Sequence, residues 1–116
     1  MSIDLLDYQL MAFDTGKFLS FMIRTNGEIV PTMPDDEEFS ASQIGAYVAG
    51  TPEVVGETHD GFLLFQSKEG TERGLPVNEL ATSMYGATGG RAGSLVGRIF
   101  LAHPGHVAQY WIPSKR

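Results

Sequence analysis

The chain has 116 residues, of which 42% are hydrophobic and 19% are charged, a composition typical of a globular domain and not of a disordered chain. It contains no cysteine, which excludes disulfide bonds, thiolate nucleophiles and cysteine-ligated metal sites. The net charge is −6 and the basic residues are scattered, whereas a nucleic-acid-binding domain usually has a clustered basic surface. We therefore expect no direct binding to nucleic acid.

Charge and hydrophobicity along the chain bear on its location and its partners. Residues 1–60 carry eleven acids and two bases, while residues 61–116 carry three acids and six bases. The acidic first half suits a basic partner, or serves only to keep the protein soluble. No apolar run approaches the roughly 20 residues that span a bilayer, and the N-terminus has acids where a signal peptide has bases. We expect a cytoplasmic protein without membrane contact.

The first elements are a helix and a hairpin. Apolar residues recur at helical spacing in residues 1–16, which favours a helix there. The apolar runs 17–24 and 29–33 indicate the two strands of the hairpin. Asn26-Gly27 lies between them and predicts a type I′ turn, which needs positive φ at both central residues. Pro31 has no N–H group, so it places the second strand at a sheet edge or ends it early.

A second helix begins after Ser40. Gln43 follows three residues later, which completes the pattern of a capping box. Gly50 predicts the end of this helix. The acidic run at 35–38 lies just before the helix, where negative charge is favoured by the positive end of the helix dipole.

The second half repeats the order of hairpin and helix. Residues 52–58 and 62–67 indicate strands, and Asp60-Gly61 predicts the tight turn between them. The segment "LPVNELATSMYG" predicts a helix with Pro76 in its first turn and Gly86 at its end. The pattern that follows indicates a strand at 95–103, a turn at "HPGH" and a last strand at 107–112.

These elements together predict the fold class. Neighbouring strands joined by tight turns imply antiparallel pairing, and the helices must cover the apolar sheet. We predict an α+β fold with a mainly antiparallel sheet of about five to six strands and two or three short helices packed on it.

The glycine-rich stretch "YGATGGRAGSLVG" does not match a phosphate-binding loop. It lacks the lysine and the glycine spacing of a Walker motif, and it lacks the Gly-x-Gly-x-x-Gly fingerprint. It also follows a predicted helix and precedes a strand, so it does not present the N–H groups of a helix N-terminus to a phosphate. We predict a mobile connector that carries Arg91 as a candidate contact for a partner or ligand.

Other constellations for chemistry are incomplete. His103 and His106 are three residues apart and His59 is distant in sequence, whereas zinc normally takes three or four protein ligands. No serine lies in a Gly-x-Ser-x-Gly elbow, and no pair of carboxylates stands out. We assign no catalytic residue, no metal and no cofactor, and the sequence leaves open whether the chain is an enzyme.

The segment "GLPVNELATSMYG" resembles a family of small domains of unknown function that occur in phage and plasmid genomes and in some bacteria. The similar features also include "NGE" at 26–28, "EG" at 69–70 and "VG" at 96–97. The resemblance implies an accessory protein of a mobile element or its host, and it implies no established reaction.

The resemblance also divides the chain, which we take as one domain over residues 1–116. It covers residues 18–102 as the family-like core. Residues 1–16 form an N-terminal extension, and residues 103–116 form an added C-terminal strand.

The family-like helix leads to a candidate recognition patch of Arg73, Asn78, Thr82 and Arg91. The structural alternative is that Asn78 caps the backbone N–H groups of the helix and Thr82 packs beside a strand. The leading hypothesis is a non-catalytic protein-interaction module with a protein partner, with formation of a homo-oligomer left open. The two alternatives are a small-ligand binder or enzyme with a pocket near Asn78 and Arg91, and an acidic mimic of nucleic acid.

Overall fold

The computed structural model describes residues 20–34, 37–58, 61–85, 94–108 and 111–112. The predicted N-terminal helix and the connector at 86–93 lie outside the described residues. The described chain forms β1 (Ser20–Ile23), β2 (Ile29–Thr32), α1 (Ala41–Val48), β3 (Pro52–Glu57), β4 (Leu63–Ser67), α2 (Glu79–Tyr85), β5 (Ile99–Ala102) and a 3-10 helix (Pro104–His106). None of the helices in this described part is long and apolar enough to cross a membrane.

The five strands form one antiparallel sheet in the order β2-β1-β5-β4-β3. Successive side chains point to opposite faces of a strand, and β4 and β5 each contribute to two cores. In β5, Ile99 and Leu101 belong to the core on the α2 side, and Phe100 and Ala102 belong to the core on the α1 side. Helices on both faces explain why the central strands are continuous apolar runs and not alternating ones. The predicted α+β fold is confirmed.

Both sheet edges carry a proline that faces outward. Hydrogen-bonded and non-bonded pairs alternate along an antiparallel ladder. The Arg24 N–H donates to the Glu28 carbonyl at 2.8 Å, which makes Phe21 and Pro31 a non-bonded pair, with the Pro31 nitrogen turned to the open edge. At β3 the Lys68 N–H donates to the Thr51 carbonyl at 2.8 Å, which turns the nitrogen of Pro52 outward in the same way. The predicted edge position of Pro31 is confirmed, and both edges resist pairing with another strand.

The first hairpin is confirmed, but its turn type is not the predicted one. Gly27 has φ +89°, whereas Asn26 is not among the residues with positive φ, so a type I′ turn is wrong. The Gly27 N–H donates to the Arg24 carbonyl at 3.0 Å, which gives a three-residue loop that ends in a left-handed glycine. Asn26 instead uses its Oδ1 atom to accept the Glu28 N–H at 2.9 Å.

The second hairpin has the same loop. The Gly61 N–H donates to the Thr58 carbonyl at 2.9 Å, the Thr58 N–H donates to the Phe62 carbonyl at 2.8 Å, and Gly61 has φ +87°. The predicted hairpin is therefore confirmed, with residues 59–60 of its turn outside the described part of the chain.

Helix α1 starts as predicted and ends one residue earlier than predicted. The Ser40 Oγ atom accepts the Gln43 N–H at 3.1 Å, which confirms the N-cap. The left-handed residue at the C-terminus is Ala49, with φ 58°, and not Gly50. Gly50 is needed for a different reason, because a Cβ atom there would collide with the side chain of Ser67 on β4.

Helix α2 begins later than predicted, at Glu79 and not near Pro76. Asn78 caps it, and Val77 lies outside the helix in an isolated antiparallel bridge with Val96. The strand predicted at 95–103 is shortened to β5 for a related reason, since Gly97 turns the chain with φ +71°.

The predicted last strand is wrong for the described residues between 107 and 112. The chain leaves β5 through the 3-10 helix, and the Trp111 N–H donates to the Ala108 carbonyl at 3.0 Å. β5 lies between β1 and β4, so both of its edges are already paired and no free edge adjoins the departing chain. Val107, Trp111 and Ile112 pack on the α1 side of the sheet instead.

Candidate functional site

Asn78 is entirely committed to the fold. Its side chain is 0% exposed, and its Oδ1 atom accepts the Ala81 N–H at 3.1 Å. Its Nδ2 atom donates to the carbonyl of Ile23 at 2.8 Å and to the carbonyl of Gly97 at 2.9 Å. One amide thereby caps α2 and ties it to β1 and to the turn before β5. The structural interpretation of Asn78 is confirmed, and the amide is not presented to a ligand.

Thr82 lies one helical turn further and serves the same segment. Its Oγ1 atom accepts the Leu95 N–H at 2.8 Å and donates to the Leu95 carbonyl at 3.3 Å. The Asn78 N–H also donates to the Leu95 carbonyl, at 2.8 Å. The structure therefore brings Asn78 and Thr82 together, but they face the backbone of the returning chain.

Arg73 serves the other helix. Its Nη1 atom donates to the Ala49 carbonyl at 2.7 Å, and the Arg98 Nη2 atom donates to the Ala46 carbonyl at 2.9 Å. These guanidinium groups satisfy carbonyls that the end of α1 leaves without helical partners and oppose the negative end of its dipole. Arg73 is thus held at α1 and is not joined with Asn78, while Arg91 lies outside the described residues.

Glu69 completes the cap of α1. Its Oε1 atom accepts the Thr51 N–H at 3.0 Å. This hydrogen bond lowers the pKa of the Glu69 carboxyl group, and the positive charge of Arg73 lowers that pKa further. The charged form of Glu69 is therefore the one that holds the turn between α1 and β3.

A second polar cluster joins β1 to the C-terminal turn, and we call it the histidine cluster: Ser20, His103 and His106. The Ser20 Oγ atom lies 3.2 Å from the His106 Nδ1 atom and accepts the His103 N–H at 2.9 Å. The His103 Nδ1 atom accepts the Gly105 N–H at 2.9 Å, which caps the 3-10 helix. The His106 carbonyl accepts the Phe39 N–H at 2.7 Å.

Aromatic rings surround the two imidazoles. The His106 ring meets Phe39 edge-on with centroids 5.8 Å apart, and the His103 ring meets Phe62 edge-on at 5.2 Å. The two imidazole centroids are 5.7 Å apart. Burial lowers the pKa of both histidines, and His106 lowers the pKa of His103 further. The site favours neutral imidazoles.

The Ser20–His106 pair has the components of a nucleophile and a base, but its geometry suits a structural role. Ser20 is 0% exposed, so no substrate reaches its hydroxyl group in this conformation. The oxygen already accepts the His103 N–H. In the described part of the chain, no three His, Asp or Glu side chains come together as metal ligands.

The sequence pattern points to the two histidines but not to Ser20. The available signal was a polar residue inside the apolar run "FLSFMI", which sits where all four residues of β1 are buried. A buried hydroxyl group requires a hydrogen-bond partner, but its partner lies 86 residues away in sequence, which no local pattern indicates.

The described carboxylates are dispersed. Glu28 forms an ion pair with Arg24, with Oε1 and Nε 3.2 Å apart. The others lie on different elements: Glu37 and Glu38 before α1, Glu53 and Glu57 on β3, Glu69 and Glu72 in the loop after β4, and Glu79 at the start of α2. These positions span both faces and both edges of the sheet.

The chain matches no protein-family model, no curated protein and no solved structure. The resemblance to small phage and plasmid domains stays a prediction, but the structure gives its two main segments, "LPVN" and "VG", a shared physical role. The Gly97 N–H donates to the Pro76 carbonyl at 2.8 Å, and the Asn78 amide donates to the Gly97 carbonyl. Gly97 has φ +71°, a left-handed conformation that favours glycine, and a Cβ atom there would lie 2.8 Å from the Leu75 Cδ1 atom.

Proposed function

We propose that this protein is a non-catalytic protein-interaction module of a mobile element or its host, which acts in the cytoplasm on a partner with a basic surface. The observation that carries the proposal is the charge of the described surface. It holds eight carboxylates and four basic side chains. Three of the four bases are engaged: Arg24 by Glu28, Arg73 by the Ala49 carbonyl, and Arg98 by the Ala46 carbonyl.

The described residues therefore present an excess of negative charge to an approaching molecule, with eight carboxylates against four basic side chains. Surface charge of one sign accelerates association with a partner of opposite sign, and salt weakens the effect. The exposed Met33, at 58%, follows β2, and Glu37 and Glu38 follow it in the chain. An exposed apolar side chain that is followed in sequence by carboxylates suits a partner that combines lysine or arginine with an apolar contact.

The test is a pull-down from host lysate at about 50 mM and about 500 mM salt, followed by binding measurements with each purified protein that is retained. A basic partner that binds at low salt and is lost at high salt is the expected result. The variant E37K/E38K should weaken that binding, and the matched variant E53K/E72K, with the same change in charge at other exposed positions, should weaken it less. The proposal would be refuted if this chain retained no specific partner from the lysate and the purified chain turned over a metabolite.

The two alternatives receive less support from the described residues. In the alternative with a ligand pocket near Asn78 and Arg91, Asn78 is not available to contact the ligand, because its amide is buried and fully hydrogen-bonded. A mimic of nucleic acid requires an ordered row of negative charge, whereas the described carboxylates are dispersed over both faces of the sheet. A homo-oligomer formed by extending the sheet is opposed by the outward-facing Pro31 and Pro52.

A further inference from the structure

We propose that the histidine cluster is an acid-released latch. At neutral pH the uncharged imidazoles of His103 and His106 hold the C-terminal segment, described at 103–108 and 111–112, against β1. Protonation releases this segment while the sheet stays folded. The proposal stands on the hydrogen-bond geometry of the cluster and is independent of the proposed function.

The geometry of His103 makes its charged form incompatible with the turn. Its Nδ1 atom accepts the Gly105 N–H at 2.9 Å, so the proton of the neutral ring is on Nε2. An added proton must go to Nδ1, where it points at the N–H group of Gly105. Two donors then face each other, and the hydrogen bond that caps the 3-10 helix is lost.

His106 is coupled to the same event through Ser20. The Ser20 hydroxyl contacts the His106 Nδ1 atom at 3.2 Å and also accepts the His103 N–H at 2.9 Å. Movement of the backbone at His103 therefore disturbs the environment of His106. A positive charge on one imidazole also repels a charge on the other, whose centroid is 5.7 Å away.

The surroundings of the pair favour the neutral form. Phe39 and Phe62 contact the rings edge-on. The titratable group that faces His103 from its own turn is His106. The described carboxylates nearest in sequence to these two phenylalanines are Glu38, next to Phe39, and Glu57, at the end of β3. A nearby carboxylate would raise the pKa of an imidazole, but burial is the larger effect here and the pKa of both histidines is lowered.

The pH range follows from the direction of the shifts. Burial lowers the pKa of both histidines below 6.5, so the released segment binds more protons than the latched one. The latch has its full strength above pH 6.5 and is progressively lost as the pH falls through the pKa values of the latched state.

Release uncovers part of the aromatic core. The His106 carbonyl gives up the Phe39 N–H, and Trp111, whose ring meets Phe65 edge-on at 5.2 Å, leaves the α1 side of the sheet. Trp111 is the only tryptophan in the sequence. Its fluorescence therefore reports directly on the position of the segment.

The experiment is a pH titration of the full chain from 7.5 to 4.5, with Trp111 emission and far-ultraviolet circular dichroism recorded on the same samples. The expected result is a red shift of the emission with a midpoint below pH 6.5 and little change in circular dichroism. Emission that stays constant, or that shifts only together with loss of circular dichroism, overturns the proposal.

Variants assign the response to the latch. Asparagine places Oδ1 near the position of Nδ1, caps turns well and does not titrate, so H103N/H106N should retain the segment and abolish the red shift. The control E38Q/E57Q, which removes two described carboxylates that titrate in acid, should retain the shift. A shift that persists in H103N/H106N, or that disappears in E38Q/E57Q, assigns the response to other groups and overturns the proposal.

A measurement on the unmodified chain gives an independent test. Hydrogen exchange of the Gly105 and Phe39 amides, corrected for the intrinsic effect of pH, should lose protection together as the histidine ring signals titrate in nuclear magnetic resonance spectra. Amides in β5 should keep their protection from exchange. Protection of Gly105 and Phe39 that survives titration of both histidines overturns the proposal.

Discussion

At the scale of single residues, Asn78 is a buried polar side chain whose hydrogen bonds link three parts of the fold. It accepts one hydrogen bond and donates two while fully buried. N78D preserves the cap of α2 but turns two donors into a carboxylate that faces the carbonyls of Ile23 and Gly97. We expect a loss of about 3–5 kcal/mol in the free energy of unfolding, since a buried charge is left without a partner.

Urea unfolding at pH 7.5 measures this loss. The control is S83A, on an exposed position of the same helix, which should change the free energy of unfolding by less than about 0.5 kcal/mol. An N78D chain as stable as the unmodified one would show that the two carbonyl bonds contribute little, and it would reopen a ligand role for the amide.

Ala49 is the one described residue other than glycine with positive φ, at 58°. The left-handed conformation costs an L-residue roughly 1–2 kcal/mol, and glycine adopts it without that cost. We expect A49G to raise the free energy of unfolding by about 0.5–1 kcal/mol. The matched change A46G, inside α1, should lower it by about 1 kcal/mol. Equal effects of the two substitutions in chemical denaturation would contradict this account of the α1 terminus.

At the scale of elements, the edge strands govern self-association. Pro31 removes a donor from the open side of β2, so P31V restores a ladder position that another strand can pair with. We expect P31V to form dimers or larger species at concentrations where the unmodified chain does not. Size-exclusion chromatography with light scattering measures this, and P34V, just beyond the strand, is the control. A monomeric P31V would indicate that other features protect the edge.

Elements whose signals are local were predictable from the sequence. The two hairpins, the N-cap at Ser40 and the edge position of Pro31 each follow from residues within a few positions of one another. The sequence pattern misplaces the left-handed residue at the end of α1. It points to Gly50, but this glycine is required by its close contact with Ser67, which comes from β4. The last strand was misplaced because nothing local shows that β5 is central and has no free edge.

The candidate site was harder to predict than the fold. The capping role of Asn78 was foreseeable from its position before Glu79, but its bond to Ile23 spans 55 residues. The link between Ser20 and His106 spans 86 residues. Such pairs depend on which strands become neighbours in the sheet, and that order is set by the packing of both faces together.

At the scale of the whole molecule, the two cores share the strands β4 and β5, so neither core is expected to unfold alone at neutral pH. Leu101 faces the α2 side, whereas Trp111 reports on the α1 side. We expect L101A to lower the free energy of unfolding by about 2–5 kcal/mol. It should shift the denaturant midpoint of Trp111 emission as far as the midpoint of circular dichroism, because unfolding is one cooperative transition.

The exposed Met33 provides the control, since M33A should move neither midpoint by more than the equivalent of about 0.5 kcal/mol. If L101A shifted circular dichroism and left the Trp111 transition in place, the α1-side core would be an independent folding unit. The histidine latch would then be one part of a larger separable unit. Coincident transitions at pH 7.5, together with a separate Trp111 transition under acid, would show that cooperativity depends on the neutral imidazoles that fasten the C-terminal segment to β1.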